Sequence, residues 1–284
     1  MSLKICILAS GSRGNCTYIA SENTAILVDA GISRKKIVDR LKDIDVSIEA
    51  IRGVCVSHEH SDHICGVEVL NRCHEIPMYA NRGTVEAILR DKKLQDTHWN
   101  IFTNGCEFEI GDLQIEAFSV PHDAYDPVGF NITCGDVRVG LVTDIGVPTT
   151  LTRERLKNCH AVIIESNHDE NLLKDSARPW ALKQRILGRQ GHLSNEQTAE
   201  VVRDIAHSEL QHVFLAHLSE DCNSGDLAVD TARKALQDIG NDHVEVSLGY
   251  PDKVSQTWSF KIEEPLITPS ELKRPSRPEP LELF

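Results

Sequence analysis

Ser57-His58-Glu59-His60-Ser61-Asp62-His63 follows directly on the run Ile51-Arg52-Gly53-Val54-Cys55-Val56. The run is short, mostly apolar and stopped by polar residues, so it reads as a buried strand. The pattern after it, His-x-His-x-Asp-His, places three imidazoles and a carboxylate on one loop at the strand's end. Imidazole with carboxylate is a donor set for zinc, manganese or iron. Six consecutive residues cannot wrap four side chains around one tetrahedral ion. Two neighbouring ions sharing the loop are the easier geometry.

Further donors stand at other strand ends. His122 follows the alternating stretch Ile115-Glu116-Ala117-Phe118-Ser119-Val120-Pro121. Asp144 closes Val137-Arg138-Val139-Gly140-Leu141-Val142-Thr143, His217 closes Val213-Phe214-Leu215-Ala216, and Asp29 closes Ala25-Ile26-Leu27-Val28. A lone histidine after a strand is usually structural. Four strands that each deliver an acid or an imidazole, beside the loop at 58–63, predict convergence on one metal centre.

Taken in order, Asp29, His58-x-His60-x-Asp62-His63, His122, Asp144 and His217 resemble the metallo-β-lactamase superfamily over residues 3–262. The resemblance implies an α/β (α+β) fold, the αββα metallo-β-lactamase sandwich, with two divalent metal ions at one edge of its sheets. It assigns one ion to His58, His60 and His122 and the other to Asp62, His63 and His217, with Asp144 bridging. Asp29 would orient the ligand loop through hydrogen bonds. Zinc or manganese, with iron as a third choice, suits this set.

Composition fits a cytoplasmic enzyme. Hydrophobic residues make up 40% of 284, enough for a core. No 18-residue apolar run predicts a membrane span, and the N-terminus enters a strand without a cationic leader. Nine scattered cysteines read as free thiols in a reducing compartment. Cys65 and Cys222 neighbour the candidate ligands, where small packing residues are the expected reading. A catalytic domain is expected over residues 1–262. Pro265, Pro269, Pro275, Pro278 and Pro280 mark 263–284 as a separate tail. Within the domain, strands are expected near 3–8, 16–20, 25–29, 51–56, 107–110, 113–120, 129–134, 137–143, 161–165, 212–217, 243–248 and 255–262. Helices are expected near 63–73, 82–91, 149–157 and 225–239, and from the capping box Ser194-Asn195-Glu196-Gln197 to about His207.

Three further stretches narrow the function: Ala9-Ser10-Gly11-Ser12-Arg13-Gly14-Asn15, Ile164-Glu165-Ser166-Asn167-His168-Asp169 and Gly191-His192-Leu193-Ser194-Asn195. With the metal set they resemble the YycJ/WalJ group of metallo-β-lactamase-fold nucleases, which implies a 5′→3′ exodeoxyribonuclease on double-stranded DNA. Asp62, His192 and Glu165 are the catalytic candidates, with His192 as proton donor and Glu165 orienting it by family analogy. Net charge is −13, which argues against broad nucleic-acid binding. Locally, Lys174, Arg178, Lys183, Arg185 and Arg189 cluster around Trp180 just before His192. The expected substrate contacts are Ser10, Ser12, Arg13, Asn15, His168, Arg178, Lys183, Arg185, Arg189 and Asn195. A small-molecule metallo-hydrolase acting on a lactam, thioester or cyclic phosphodiester is the competing class, and an RNA-processing nuclease the other. Oligomeric state has no signature in the sequence.

Overall fold

The computed structural model describes residues 2–90, 94 and 96–261. The expectation for the tail at 263–284 lies outside them. Seven strands form the first sheet: β1 (Ser2–Ala9), β2 (Cys16–Ala20), β3 (Ala25–Val28), β4 (Ile51–Cys55), β5 (Met78–Asn81), β6 (Trp99–Phe102) and, from the far end of the chain, β14 (Trp258–Lys261). Their order is β14-β1-β2-β3-β4-β5-β6. The second sheet comprises β7 (Glu107–Ile110), β8 (Leu113–Ser119), β9 (Val128–Cys134), β10 (Val137–Val142), β11 (Ala161–Glu165), β12 (His212–Ala216) and β13 (Glu245–Leu248), ordered by sequence from one edge to the other.

Strand alternation builds the layers. Along β1, Leu3, Ile5 and Ile7 enter the core between the sheets, while Cys6 and Leu8 face outward. That period of two is what a pleated strand imposes. Phe130, Phe214, Ile115 and Ile163 meet them from the second sheet. Each such large side chain contributes about 1.5–3 kcal/mol by leaving water. The outer face of the first sheet is covered by α1 (Arg34–Lys42), α3 (Val67–His74) and α4 (Arg82–Arg90). The second is covered by α5 (Thr150–Leu156), α8 (Asn195–Ile205) and α9 (Gly225–Gln237). The result is the expected αββα sandwich.

Strand direction gathers the site. β3 and β4 pair in parallel, as do β10, β11 and β12. β8 and β10 both run antiparallel to β9, so they share a direction. The C-terminal ends of these strands therefore open on one edge of the sandwich.

Several elements differ from the sequence reading. The single helix expected at 63–73 is two, α2 (Ser61–Ile64) and α3. The break lies at Gly66, whose N–H donates to Ala30 O at 2.7 Å and whose missing Cβ would sit 2.5 Å from Ile32 O. The short strands β5 and β6 were not expected, nor was α1, whose buried apolar stripe is only Ile37 and Leu41. The basic stretch folds as α6 (Glu170–Asp175) and α7 (Trp180–Ile186).

Candidate metal centre

Asp29, Asp144 and His217 share an unusual backbone, with φ of 61°, 55° and 56°. Non-glycine residues are uncommon in that left-handed region. Each stands at or just after the end of its strand, where the turn directs the chain out of the sheet. The loop after β4 brings His58, His60, Asp62 and His63 to the same edge, and β8 leads to His122.

The donor atoms fall into overlapping groups, each spanning no more than 4.8 Å: His58, His60 and His122; His58, His63 and Asp144; Asp62, His63 and His217. His58 Nε2 lies 3.0 Å from His60 Nδ1. Asp144 stands between the groups, with Oδ2 3.0 Å from His63 Nε2 and Oδ1 3.6 Å from His217 Nε2 and 3.8 Å from His122 Nε2. Asp62 Oδ2 lies 3.6 Å from His63 Nε2 and 3.8 Å from His217 Nε2. Two nitrogens 2.0–2.1 Å from a tetrahedral zinc ion are roughly 3.3 Å apart, so these spacings suit shared coordination. His122 Nε2, His217 Nε2 and Asp144 Oδ2 are buried with no hydrogen-bond partner. Such groups are costly to leave unsatisfied, and a divalent cation is what this donor set would accept.

The opposite ring nitrogens are held. Asp29 Oδ2 accepts from His63 Nδ1 at 2.8 Å and from Ser57 Oγ at 2.9 Å, and Asp29 Oδ1 accepts from Ser57 N. His122 Nδ1 donates to Gly191 O at 3.2 Å. Glu165 Oε1 accepts from His217 Nδ1 at 2.9 Å and from His192 Nδ1 at 2.7 Å. Each contact fixes the tautomer that leaves Nε2 free to face the centre. Glu165 thus serves two histidines, where the sequence suggested only His192. Its Oε2 accepts the backbone N–H groups of Ile145 and Leu193.

Charge follows from this packing. Burial opposes ionisation of Asp144, but His217 and His63 outweigh it and hold its pKa well below the carboxylate range. Burial likewise opposes the charged Glu165, yet His192 and its hydrogen bonds bring the pKa down to about 2. His192 is raised above the ordinary imidazole value because Glu165 and Asp144 overcome its desolvation. His217 rises to about 10 against burial, through Asp144, Asp62 and Glu165. Burial pushes His58 well below its ordinary value.

The remaining candidates divide. A 160 Å³ cavity beside the donors is lined by Ser12, Asn167, Arg178, Arg185, His192 and Ser219, among others. Arg178 donates to Ser219 Oγ and Asp221 Oδ2, and Arg185 Nε to Asp123 Oδ2 at 2.5 Å. Arg189 is exposed. Arg13 is exposed and paired with Glu220 at 2.6 Å. Ser10 and Asn15 point inward: Ser10 Oγ accepts from His217 N at 2.6 Å, and Asn15 Nδ2 lies 3.0 Å from His63 Nε2. Both brace candidate ligands and offer no surface to a substrate. Lys183 also departs from its expected role, because its ammonium is tied to the Lys174 and Ser176 carbonyls. Asn195 is buried and pairs with Ser166 and Asn223. His168 is buried with both ring nitrogens unpartnered, and desolvation lowers its pKa to about 4. Cys65 is exposed, and Cys222 packs with Leu173 and Ile186. Asp123, unremarked in the sequence, puts Oδ1 3.3 Å from His122 Nε2. Its position next to a candidate ligand was the one signal available.

Residues 24–217 match the family described as "Beta-lactamase superfamily domain". The chain belongs to this superfamily. As a member with a clustered His and Asp donor set, it is a metal-dependent hydrolase. Among superfamily relatives, it is 36% identical over 247 residues to the exodeoxyribonuclease YycJ of Bacillus anthracis, covering 84% of this chain and 91% of that protein. It is 38% identical over 231 residues to the exodeoxyribonuclease WalJ of Streptococcus pneumoniae serotype 2, covering 80% and 86%. The metallo-β-lactamase fold protein YhfI from Bacillus subtilis shares the architecture, with a TM-score of 0.70 over 92% of this chain and 100% of that one, at 16% identity. No helix among the described residues is long and apolar enough to cross a membrane.

Proposed function

We propose that the chain is a 5′→3′ exodeoxyribonuclease acting on double-stranded DNA with two divalent ions. The observation that carries the reading is the Glu165–His192 pair. His192 lies 3.6 Å from Asp144 and opens on a cavity that also holds Arg178 and Arg185. A small neutral substrate has no use for two guanidiniums there, whereas an anionic phosphodiester does. The names and extent of similarity of the two exodeoxyribonuclease relatives support DNA over RNA.

His58, His60 and His122 would hold one ion, Asp62, His63 and His217 the other, and Asp144 would lie between them. When bound, such ions lower the pKa of water and neutralise phosphoryl charge. Arg178 and Arg185 bind the phosphate and orient it. As the new oxygen–phosphorus bond forms, the bond to the leaving 3′-oxygen breaks. His192 delivers the proton that this oxygen needs, and its neutral ring then takes one from solvent. Glu165 holds the ring with Nε2 turned away from itself and favours the imidazolium before transfer. The products are a 3′-hydroxyl and a 5′-phosphate.

The test is a panel of end-labelled substrates offered to the metal-loaded protein: duplex DNA, single-stranded DNA, RNA and a chromogenic lactam. Mononucleotides released from the 5′ end of duplex DNA are the expected result. Turnover of the lactam with no DNA cleavage would replace this reading with a small-molecule hydrolase.

A further inference from the structure

The loop after His122 carries an aromatic side chain that the metal chemistry does not use. Tyr125 is 51% exposed, yet its surroundings fix it in place. Its N–H donates to Glu59 Oε1 at 2.8 Å, and Glu59 stands between His58 and His60. Its hydroxyl accepts from Arg90 Nη2 at 3.1 Å, and the same guanidinium lies over the ring, 4.7 Å from the centroid. The next residue, Asp126, is clamped by Asn81 and Asn104. Gly83 allows the close approach, since a Cβ there would lie 2.5 Å from Asp126 Cβ and 3.1 Å from Tyr125 Cδ1.

We propose that Tyr125, backed by Arg90, is the platform on which the base of the substrate's terminal nucleotide stacks, an inference that rests on the nuclease reading above. Three features support it. The ring is joined through Glu59 and the chain to His58, His60 and His122, so its place relative to the candidate ligands is set. Arg90 lies over one face of the ring, 4.7 Å from its centroid, and brings a positive charge that favours an anionic substrate there. Because the ring is already ordered, a base that stacks on it costs little further side-chain freedom. Every base has a π-face, so such a platform selects for a base without selecting its identity.

The experiment compares two duplexes under single-turnover conditions, one with an ordinary 5′-terminal nucleotide and one whose terminal nucleotide is abasic. Metal-loaded wild-type protein should cleave the ordinary end faster by about 5- to 150-fold, the range that one base–aromatic stack supplies. Tyr125→Phe should keep the preference, because the ring remains. Tyr125→Leu, which keeps apolar bulk, and Tyr125→Ala should bring the ratio close to one. Arg90→Ala should reduce it partially. If wild type cleaves both duplexes at one rate, or if Tyr125→Leu and Tyr125→Ala keep the full preference, the platform is overturned while the nuclease reading stands. Cleavage of neither duplex by wild type overturns the nuclease reading and the platform with it.

Discussion

In the proposed mechanism His192 is the general acid and sets the alkaline limit of turnover. Its pKa lies above the ordinary imidazole value because Glu165 and Asp144 outweigh its burial. The protonated form is the acid, so kcat should fall as pH rises through this raised value. Glu165→Gln removes the carboxylate that does most of the raising. Burial then acts with less opposition, and the alkaline limb should move to lower pH. The same substitution removes the negative charge that His217 Nδ1 donates to and leaves a weaker acceptor, so metal content should fall as well. His192→Ala should lower kcat by roughly 10²–10⁴-fold, the usual range for general acid catalysis, with metal content intact. A pH–rate profile and metal analysis on the two variants separate the roles. Loss of metal in the His192 variant would make this residue a ligand. At this scale the sequence was informative where chemistry is local: Asp29, Asp144 and His217 could be read because each interrupts an apolar run. It was silent on the second partner of Glu165, because that contact joins distant segments, and for Asp123 it offered only the position next to His122.

Among the elements, α7 shows why a charge run says little about what the charges do. Lys183 and Arg185 lie two residues apart, yet the helix buries one and exposes the other. The Lys183 ammonium satisfies the Lys174 and Ser176 carbonyls and joins α6 to α7. Lys183→Ala should therefore cost stability, about 1–3 kcal/mol for two charge-assisted bonds, and leave the salt dependence of DNA binding unchanged. Arg178→Ala with Arg185→Ala should do the reverse. Each lost phosphate contact lowers the slope of log K against log salt by about 0.9. Urea unfolding and DNA binding at several salt concentrations check both expectations. Equal effects in the two variants would mean that the whole segment is scaffold. The same limit explains β5 and β6. Four-residue strands such as Met78–Asn81 and Trp99–Phe102 are too short to show a period, and only pairing with β4 and with each other defines them. The longer strands β1, β8 and β9 could be read because alternation persists through them.

For the molecule as a whole, two sheets direct candidate ligands from separate strand ends to one edge, so the centre joins the two halves of the sandwich. Without metal, the charged forms of His63 and His217 are favoured by the acids around them. His217 then has a pKa of about 10 in the folded protein, against roughly 6.5 when unfolded. The sign follows from linkage: this contribution to stability is fully present below the unfolded value and is lost as pH rises towards 10. His63, also raised, acts in the same direction. Metal binding has the opposite dependence, because the ligand nitrogens must lose their protons before they can coordinate. The stripped protein should therefore lose stability from pH 6 to pH 9 while the loaded protein gains binding free energy. The difference in Tm between zinc-loaded and chelator-treated protein should be small near pH 6 and widen steadily towards pH 9. At metal concentrations 100 times Kd, each site adds about 2.7 kcal/mol. Thermal unfolding across this range, with and without chelator, measures the gap. A gap that stays constant with pH would show that the imidazoles at this edge do not exchange protons for metal, and the assignment of His63 and His217 as ligands would fall.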